Sequence, residues 1–160
     1  FFKIPEPLIQ KEFSRIMSLK DGSRKMSKSE SSDLSRINLT DKKDLIFNKI
    51  KKAKTDSLPM PKDLKELDKR PEARNLLGIY SSLTDSNLEK SLQIFAGKNF
   101  SKFKEVLADK LVSKIGPISK EIKKLLVERQ YLDEILLNGV EKANFIASKK
   151  IERIKEIMGF

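Results

Sequence analysis

The chain has 160 residues, 36% of them charged and 38% hydrophobic, and its 34 Lys and Arg against 23 Asp and Glu leave a net charge of +11. That apolar share supports a modest core and excludes global disorder, and the length suits one domain or one domain plus part of another. The absence of Cys and His excludes disulfides, thiolate or imidazole metal sites, a Ser-His-Asp triad and any His acid–base step within these residues.

The first segment, residues 1–20, opens Phe1-Phe2-Lys3 without an initiator Met, and Pro5 and Pro7 favour extended backbone. This reads as a piece of a longer protein, with a lost leading Met as the alternative. Phe13, Ile16, Met17 and Leu19 surround Arg15 and Ser18, the pattern of a short buried strand or strand edge. A lone strand cannot make a sheet, so its partner is expected elsewhere.

Residues 20–36, KDGSRKMSKSESSDLSR, carry six Ser and one Gly and almost nothing apolar, the composition of a loop. From Asp41 the pattern turns helical. Leu45, Ile46, Ile50 and Ala53 recur at helical spacing while Lys42, Lys43, Lys49, Lys51, Lys52 and Lys54 fill the other positions. Asp41 and Asp44 suit the helix start and the lysines its end. Pro59 and Pro61 then bound a loop. A second helix starts near Pro71, a first-turn proline, and carries Leu76, Leu77, Ile79, Tyr80 and Leu83. A third opens on Ser86-Asn87-Leu88-Glu89, a capping-box pattern, and runs to Gly97. A fourth begins about Ser101 and buries Phe103, Val106, Leu107, Leu111, Val112 and Ile115; Gly116-Pro117 is expected to kink or break it.

Apolar periodicity resumes through Ile118 to Val127. The last stretch, Tyr131 to Met158, repeats it with Leu132, Ile135, Leu136, Val140, Ala143, Ile146, Ala147, Ile151, Ile154 and Ile157, and Gly139 is a candidate break. These stripes read as core. The sum is a mainly α chain, a bundle of five or six helices attached to the stub of a sheet domain. No apolar run approaches the roughly 18 residues of a membrane span, and no basic segment followed by an apolar one opens the chain. The expectation is a soluble, intracellular protein with an anionic partner and no membrane.

The chemistry concentrates in Lys25-Met26-Ser27-Lys28-Ser29. Two lysines and two serines on a loop that follows Gly22 suit phosphate, each lysine as a mobile point charge and each hydroxyl as a donor, with Arg24 adding positive charge. By composition alone it also reads as a solvated Ser/Lys linker. The literal pentapeptide KMSKS, however, matches the second signature of class I aminoacyl-tRNA synthetases, which follows the last strand of their nucleotide-binding domain. The flanks RIMSLKDGSRKMSKSESSD, KIKKAKTDS, RPEARNLLGIYSSLT and IFAGKNFSKFKEVLADKL, and the tail NGVEKANFIASKKIERIKEIMGF, resemble the bacterial-type tryptophanyl-tRNA synthetases over essentially all 160 residues. Tyrosyl enzymes are the nearest relatives that could be confused with them. Their bacterial members usually carry a variant signature and an extra C-terminal RNA-binding module, and neither is seen here. The chain resembles the family's C-terminal half: the HIGH-like first signature is absent, since there is no His, and the tryptophan pocket would lie in the other half.

The resemblance implies a division into residues 1–40, the end of a Rossmann-like α/β catalytic domain with its last strand and KMSKS loop, and residues 41–160, a helical region that reads the tRNA anticodon. It implies that Lys25, Met26, Ser27, Lys28 and Ser29 bind ATP. Lys28 would hold the pyrophosphate with Lys25 assisting, and Ser27 and Ser29 would donate hydrogen bonds. Leu19, six residues upstream of Lys25, would touch ATP through its backbone, and Met17 is a weaker candidate of that kind. Mg²⁺ would be held mainly by the ATP phosphates. The partners implied are ATP, tryptophan and tRNA(Trp), with a cytoplasmic homodimer as the full-length form and no ligase activity in this piece alone.

A +11 balance independently suits a phosphate backbone. Lys49 to Ser57 is the best basic segment for RNA, with Lys51, Lys52, Lys54 and Asp56 as the contacts and Thr55 and Ser57 beside them; the same lysines also read as the solvated face of an amphipathic helix. With no Trp and Tyr only at 80 and 131, Arg planes are expected to replace aromatic stacking. The pairs Glu66/Asp68 and Asp133/Glu134 read as surface charge. The rival reading is a non-catalytic basic helical RNA-binding module with a flexible Ser/Lys loop. A kinase-like phosphate loop is disfavoured because no GxxxxGK[ST] pattern occurs.

Overall fold

Residues 2–9 are exposed and irregular in the computed structural model, which describes residues 2–9 and 13–160. Two compact units follow, Phe1–Ser119 and Lys120–Phe160. The first unit holds a 3-10 turn at Asp33–Ser35 and four helices, α1 (Lys43–Lys52), α2 (Leu64–Asp68), α3 (Pro71–Leu83) and α4 (Leu88–Phe95), and the start of α5 (Phe100–Val127). The second holds the last turns of α5 and all of α6 (Arg129–Met158). Among the described residues no helix is long and apolar enough to cross a membrane.

The expected strand shrinks to one antiparallel bridge, Met17 to Lys25, among the described residues. A single extended segment has only the loop it runs into for a partner, so pairing stops after one bridge. Residues 13–40 pack in the same unit as the helices up to Ser119. Phe13, Ile16, Met26 and Ile37 rest against the helical core, and Leu19 lies within it.

Three helices of the first unit have a local reason for their start. Asp63 accepts the Glu66 backbone N–H at 2.8 Å, and Glu66 reaches back to the Lys62 N–H at 3.0 Å, which sets the short α2 inside what the sequence reads as a loop. Pro71 opens α3 as expected. Asn87, not Ser86, caps α4 and accepts the Lys90 N–H at 2.8 Å. The Ser86 hydroxyl instead joins the buried Ser91 hydroxyl at 2.6 Å, which also meets Ser81 at 2.8 Å.

The core is aromatic at its centre. Tyr80, Phe95 and Phe103 meet edge to face, with centroids 4.9 Å apart for Tyr80–Phe95 and 4.8 Å for Phe95–Phe103. Leu67, Leu76, Leu77 and Leu107 surround them, fully buried. Gly78 has no Cβ because the Phe13 ring lies there; an added Cβ would sit 2.4 Å from its Cε1.

Two expected breaks are absent. Helix α5 runs through Gly116-Pro117. Both residues are exposed, so the one ladder bond that proline removes is lost on the solvent side. Gly139 does not interrupt α6; the chain breaks earlier, at Glu128, whose ψ of 61° leaves the helical range. The α6 stripe expected as core is not core: no residue of α6 is buried, and Leu136 is 64% and Ile146 68% exposed. A unit made of one helix and the end of another is too thin a layer to enclose that stripe.

Removing the Phe103 ring should destabilise the first unit by about 3–5 kcal/mol, the usual range for Phe→Ala in a packed core. Urea unfolding of Phe103→Ala against the parent chain measures it.

Candidate functional site

The KMSKS segment stands on a short hairpin. The Ser18 N–H donates to the Arg24 carbonyl at 2.8 Å and the Met26 N–H to the Ile16 carbonyl at 3.0 Å, on either side of the Met17–Lys25 bridge. Asp21 shapes the turn by accepting the Ser23 hydroxyl at 2.6 Å and the Ser23 N–H at 3.0 Å. Those bonds hold its carboxyl below the ordinary value. Gly22 presses on the start of α3: a Cβ there would lie 2.6 Å from the backbone of Pro71 and Glu72. Only glycine permits that approach.

The hairpin is held from behind by groups the sequence reading passes over. Asn75, in the middle of α3, clasps the Met17 backbone: its Oδ1 accepts the Met17 N–H and its Nδ2 donates to the Met17 carbonyl, both at 2.9 Å. Leu19 is 2% exposed, its N–H donating to the Ser35 carbonyl at 2.9 Å and its carbonyl accepting from Lys54 N–H at 2.7 Å. Both its backbone groups are therefore engaged within the protein, and Leu19 serves as a core tether beneath the loop.

In front, Lys25, Ser27, Lys28 and Ser29 are exposed, and neither lysine has an ion pair among the described residues. The Ser27 and Ser29 hydroxyls meet at 2.9 Å, and the Ser29 N–H donates to Ser27 Oγ at 3.3 Å. A cleft of about 550 Å³ lies beside them, lined among others by Arg15, Lys25, Ser27, Lys28, Arg36 and Asn38. Arg36 is fixed there by donating to the Glu30 carbonyl at 2.9 Å. Exposed cations, hydroxyls and a guanidinium around one opening suit a polyphosphate.

The second basic candidate divides. Lys51 and Lys52 are exposed at the end of α1. Lys54 pairs with Glu72 at 2.9 Å, and Asp56 takes a two-pronged bond from Arg70 at 2.5 and 2.8 Å. Burial works against the Asp56 carboxylate, but the Arg70 bonds and the Leu58 N–H outweigh it and hold its pKa below the usual value. Lys49, read as one of the basic face, is wholly buried, with its ammonium 2.7 Å from both Asp33 and Asp41. Lys104 caps α1 from α5, donating to the Ala53 carbonyl at 2.7 Å, and burial lowers its pKa. Beside α1 a cleft of about 670 Å³ is lined by Phe47, Asn48, Lys51, Thr55, Phe100 and Lys104, among others. Two aromatic residues, Phe47 and Phe100, are thus among those that line this cleft.

No group of three or more Asp, Glu, His or Cys able to hold a metal occurs among the described residues.

Residues 1–128 match the family described as tRNA synthetases class I (W and Y). The chain is 47% identical over 159 residues to a tryptophan–tRNA ligase of Mesorhizobium japonicum, covering 99% of this chain and 45% of that protein. It is 49% identical over 158 residues to one of Rickettsia felis, covering 99% and 47%. Its fold resembles the crystal structure of a Campylobacter jejuni tryptophanyl-tRNA synthetase complexed with ADP and tryptophan, with a TM-score of 0.68 and 26% identity over 98% of this chain and 47% of that one. The chain spans about half the length of the curated relatives it matches.

Glu72 offers a check on how the loop is seated. The Lys54 hydrogen bond, with smaller help from the Gly22 N–H, holds its carboxyl below the ordinary 4.5. A carboxyl so depressed binds fewer protons folded than unfolded. Its stabilisation is complete above 4.5 and is lost as pH falls through the lowered folded value. The melting temperature of Glu72→Gln should therefore lie below the parent's at neutral pH, and the gap should close on acidification to about pH 3.

Proposed function

Because the chain belongs to the class I tRNA synthetases of the tryptophan and tyrosine type, we propose that it is the phosphate-loop and tRNA-binding part of a tryptophan–tRNA ligase. The observation that carries this reading is the exposed KMSKS loop, whose Lys25 and Lys28 face a cleft shared with Arg15 and Arg36. The tryptophan–tRNA ligase relatives supply the substrate. The activity belongs to a protein carrying the remaining length of those relatives; these residues alone form no adenylate, as they contain no His for a HIGH-like signature.

In the first step a carboxylate oxygen of tryptophan attacks the α-phosphorus of ATP. The α–β anhydride bond breaks, tryptophanyl-adenylate forms and pyrophosphate leaves. Lys28 neutralises the charge that grows on the departing phosphates, Lys25 assists, and the Ser27 and Ser29 hydroxyls and the Met26 segment shape the loop around them. Leu19 and Met17 support that loop from below. In the second step a hydroxyl of the terminal tRNA ribose attacks the aminoacyl carbonyl and AMP leaves. Mg²⁺ would arrive on the ATP phosphates, and neither step above depends on a protein ligand to it.

The helical region binds tRNA(Trp) through the exposed Lys51 and Lys52. Lys54 and Asp56 act there chiefly by shaping the end of α1 through their pairs with Glu72 and Arg70. A cytoplasmic homodimer is the form we assign to the whole enzyme.

ATP–pyrophosphate exchange by the whole enzyme, run with all twenty amino acids, tests the reading. Exchange with tryptophan alone, reduced about 10²–10³-fold in Lys28→Ala, is the expected result. Exchange with tyrosine would change the substrate and keep the mechanism. No exchange at all would leave a basic RNA-binding module. In a separate test, Lys51→Ala should weaken tRNA binding and lower the slope of log affinity against log salt by about one.

A further inference from the structure

Lys49 stands on the buried face of α1, in line with Ile46, Ile50 and Ala53, and is itself 0% exposed. An aliphatic side chain would fill that place as well. Replacing a buried ion pair by apolar residues of similar volume is often neutral or stabilising. What an aliphatic residue cannot supply is a directed bond to another segment of chain.

That bond reaches the loop. The Lys49 ammonium donates to Asp41 just before α1 and contacts Asp33 in the 3-10 turn, each at 2.7 Å. Asn38 joins the two carboxylates, its Nδ2 donating to Asp33 at 3.0 Å and its N–H to Asp41 at 2.9 Å. Asp33 in turn pairs with Arg36 at 3.2 Å. Arg36 donates to the carbonyl of Glu30, the residue immediately after Ser29. An unbroken run of ion pairs and hydrogen bonds thus joins α1 to the trailing end of KMSKS.

We infer that Lys49 is a positioning residue for the KMSKS loop, acting through Asp33 and Arg36 to hold the loop's trailing end on α1. The inference rests on the loop's proposed role with ATP, although the tether can be tested without it. A loop held at one end loses less conformational freedom when it closes on phosphates. The tether also ties the loop to α1, which carries Lys51 and Lys52.

Lys49→Met alone would leave Asp41 buried and unpaired, so it confounds loss of the tether with loss of fold. Asp33→Asn avoids that difficulty: Asp33 is 51% exposed, and Lys49 keeps Asp41. Trypsin provides the readout on this chain, through cleavage after Lys25 and Lys28 followed by mass spectrometry. Asp33→Asn and Arg36→Gln should each speed that cleavage about tenfold, as a freed segment opens more often. Asp33→Glu should restore it, and cleavage after Lys51 and Lys52 should not change. Parent-like cleavage in both Asp33→Asn and Arg36→Gln would overturn the tether. So would equal acceleration at Lys51 and Lys52, which marks general loosening.

In the whole enzyme, Asp33→Asn should lower kcat for ATP–pyrophosphate exchange about tenfold, the scale of a small misplacement, with KM for tryptophan unchanged. A parent enzyme without exchange would defeat the ligase reading and leave the trypsin result standing. An unchanged kcat in Asp33→Asn would overturn the positioning role.

Discussion

A single ammonium buried between two carboxylates organises the ground beneath the candidate site. Lys49 cannot be left unpaired, because a lone charge at 0% exposure carries a desolvation penalty of several kcal/mol. Buried Asp41 meets that need and the half-exposed Asp33 joins it, and both belong to the segment between KMSKS and α1. The position of that segment is therefore dictated from the helix. Leu19 repeats the arrangement on the other arm of the hairpin through its two backbone bonds, to Ser35 and to Lys54 at the end of α1. Both arms of the phosphate loop are thus mounted on the first helix.

The hairpin gains little from sheet pairing, since one bridge is all it forms among the described residues. Beyond its ties to α1, it is supported by α3. Asn75 clasps Met17, and Gly22 seats against Pro71 and Glu72. A loop anchored this way keeps its backbone fixed while the exposed Lys25 and Lys28 side chains stay available to a ligand. Rigid support beneath and free cations above are what a loop needs if it is to close on charge that develops during a reaction.

How much of this was legible in the sequence differs by element. KMSKS is a literal pentapeptide and needs no geometry to be seen. Helices α1, α3, α4 and α5 follow from apolar spacing. The breaks expected at Pro117 and Gly139 did not occur, because local preference counts for little in long helices with exposed positions at both sites. Asn75 and Lys49 were missed for a related reason. Each is a polar residue on an apolar stripe, and Lys49 sits in register with Ile46, Ile50 and Ala53. That register was a readable signal of burial, but its partners Asp33 and Asp41 lie in a loop whose path no periodicity describes. The long apolar stripe of α6 erred the other way: periodicity showed a face and could not show whether anything covers it.

Lysine shows why net charge alone is a poor guide to the site. The same side chain does three kinds of work within the first unit. Lys49 is buried and paired, and fixes a loop. Lys104 is partly buried and closes the end of α1 by donating to the Ala53 carbonyl, in a setting that lowers its pKa. Lys25 and Lys28 are exposed beside a cleft with no carboxylate claiming them among the described residues. Composition weights all four equally in the total of +11. Solvation separates them: a cation already matched to a carboxylate or a carbonyl has little left to offer a phosphate, whereas one held in water beside an opening keeps its full charge for the ligand. The candidate site is therefore a place where lysine charge is left uncompensated beside an opening, which is a property of the pairing around it rather than of the number of lysines.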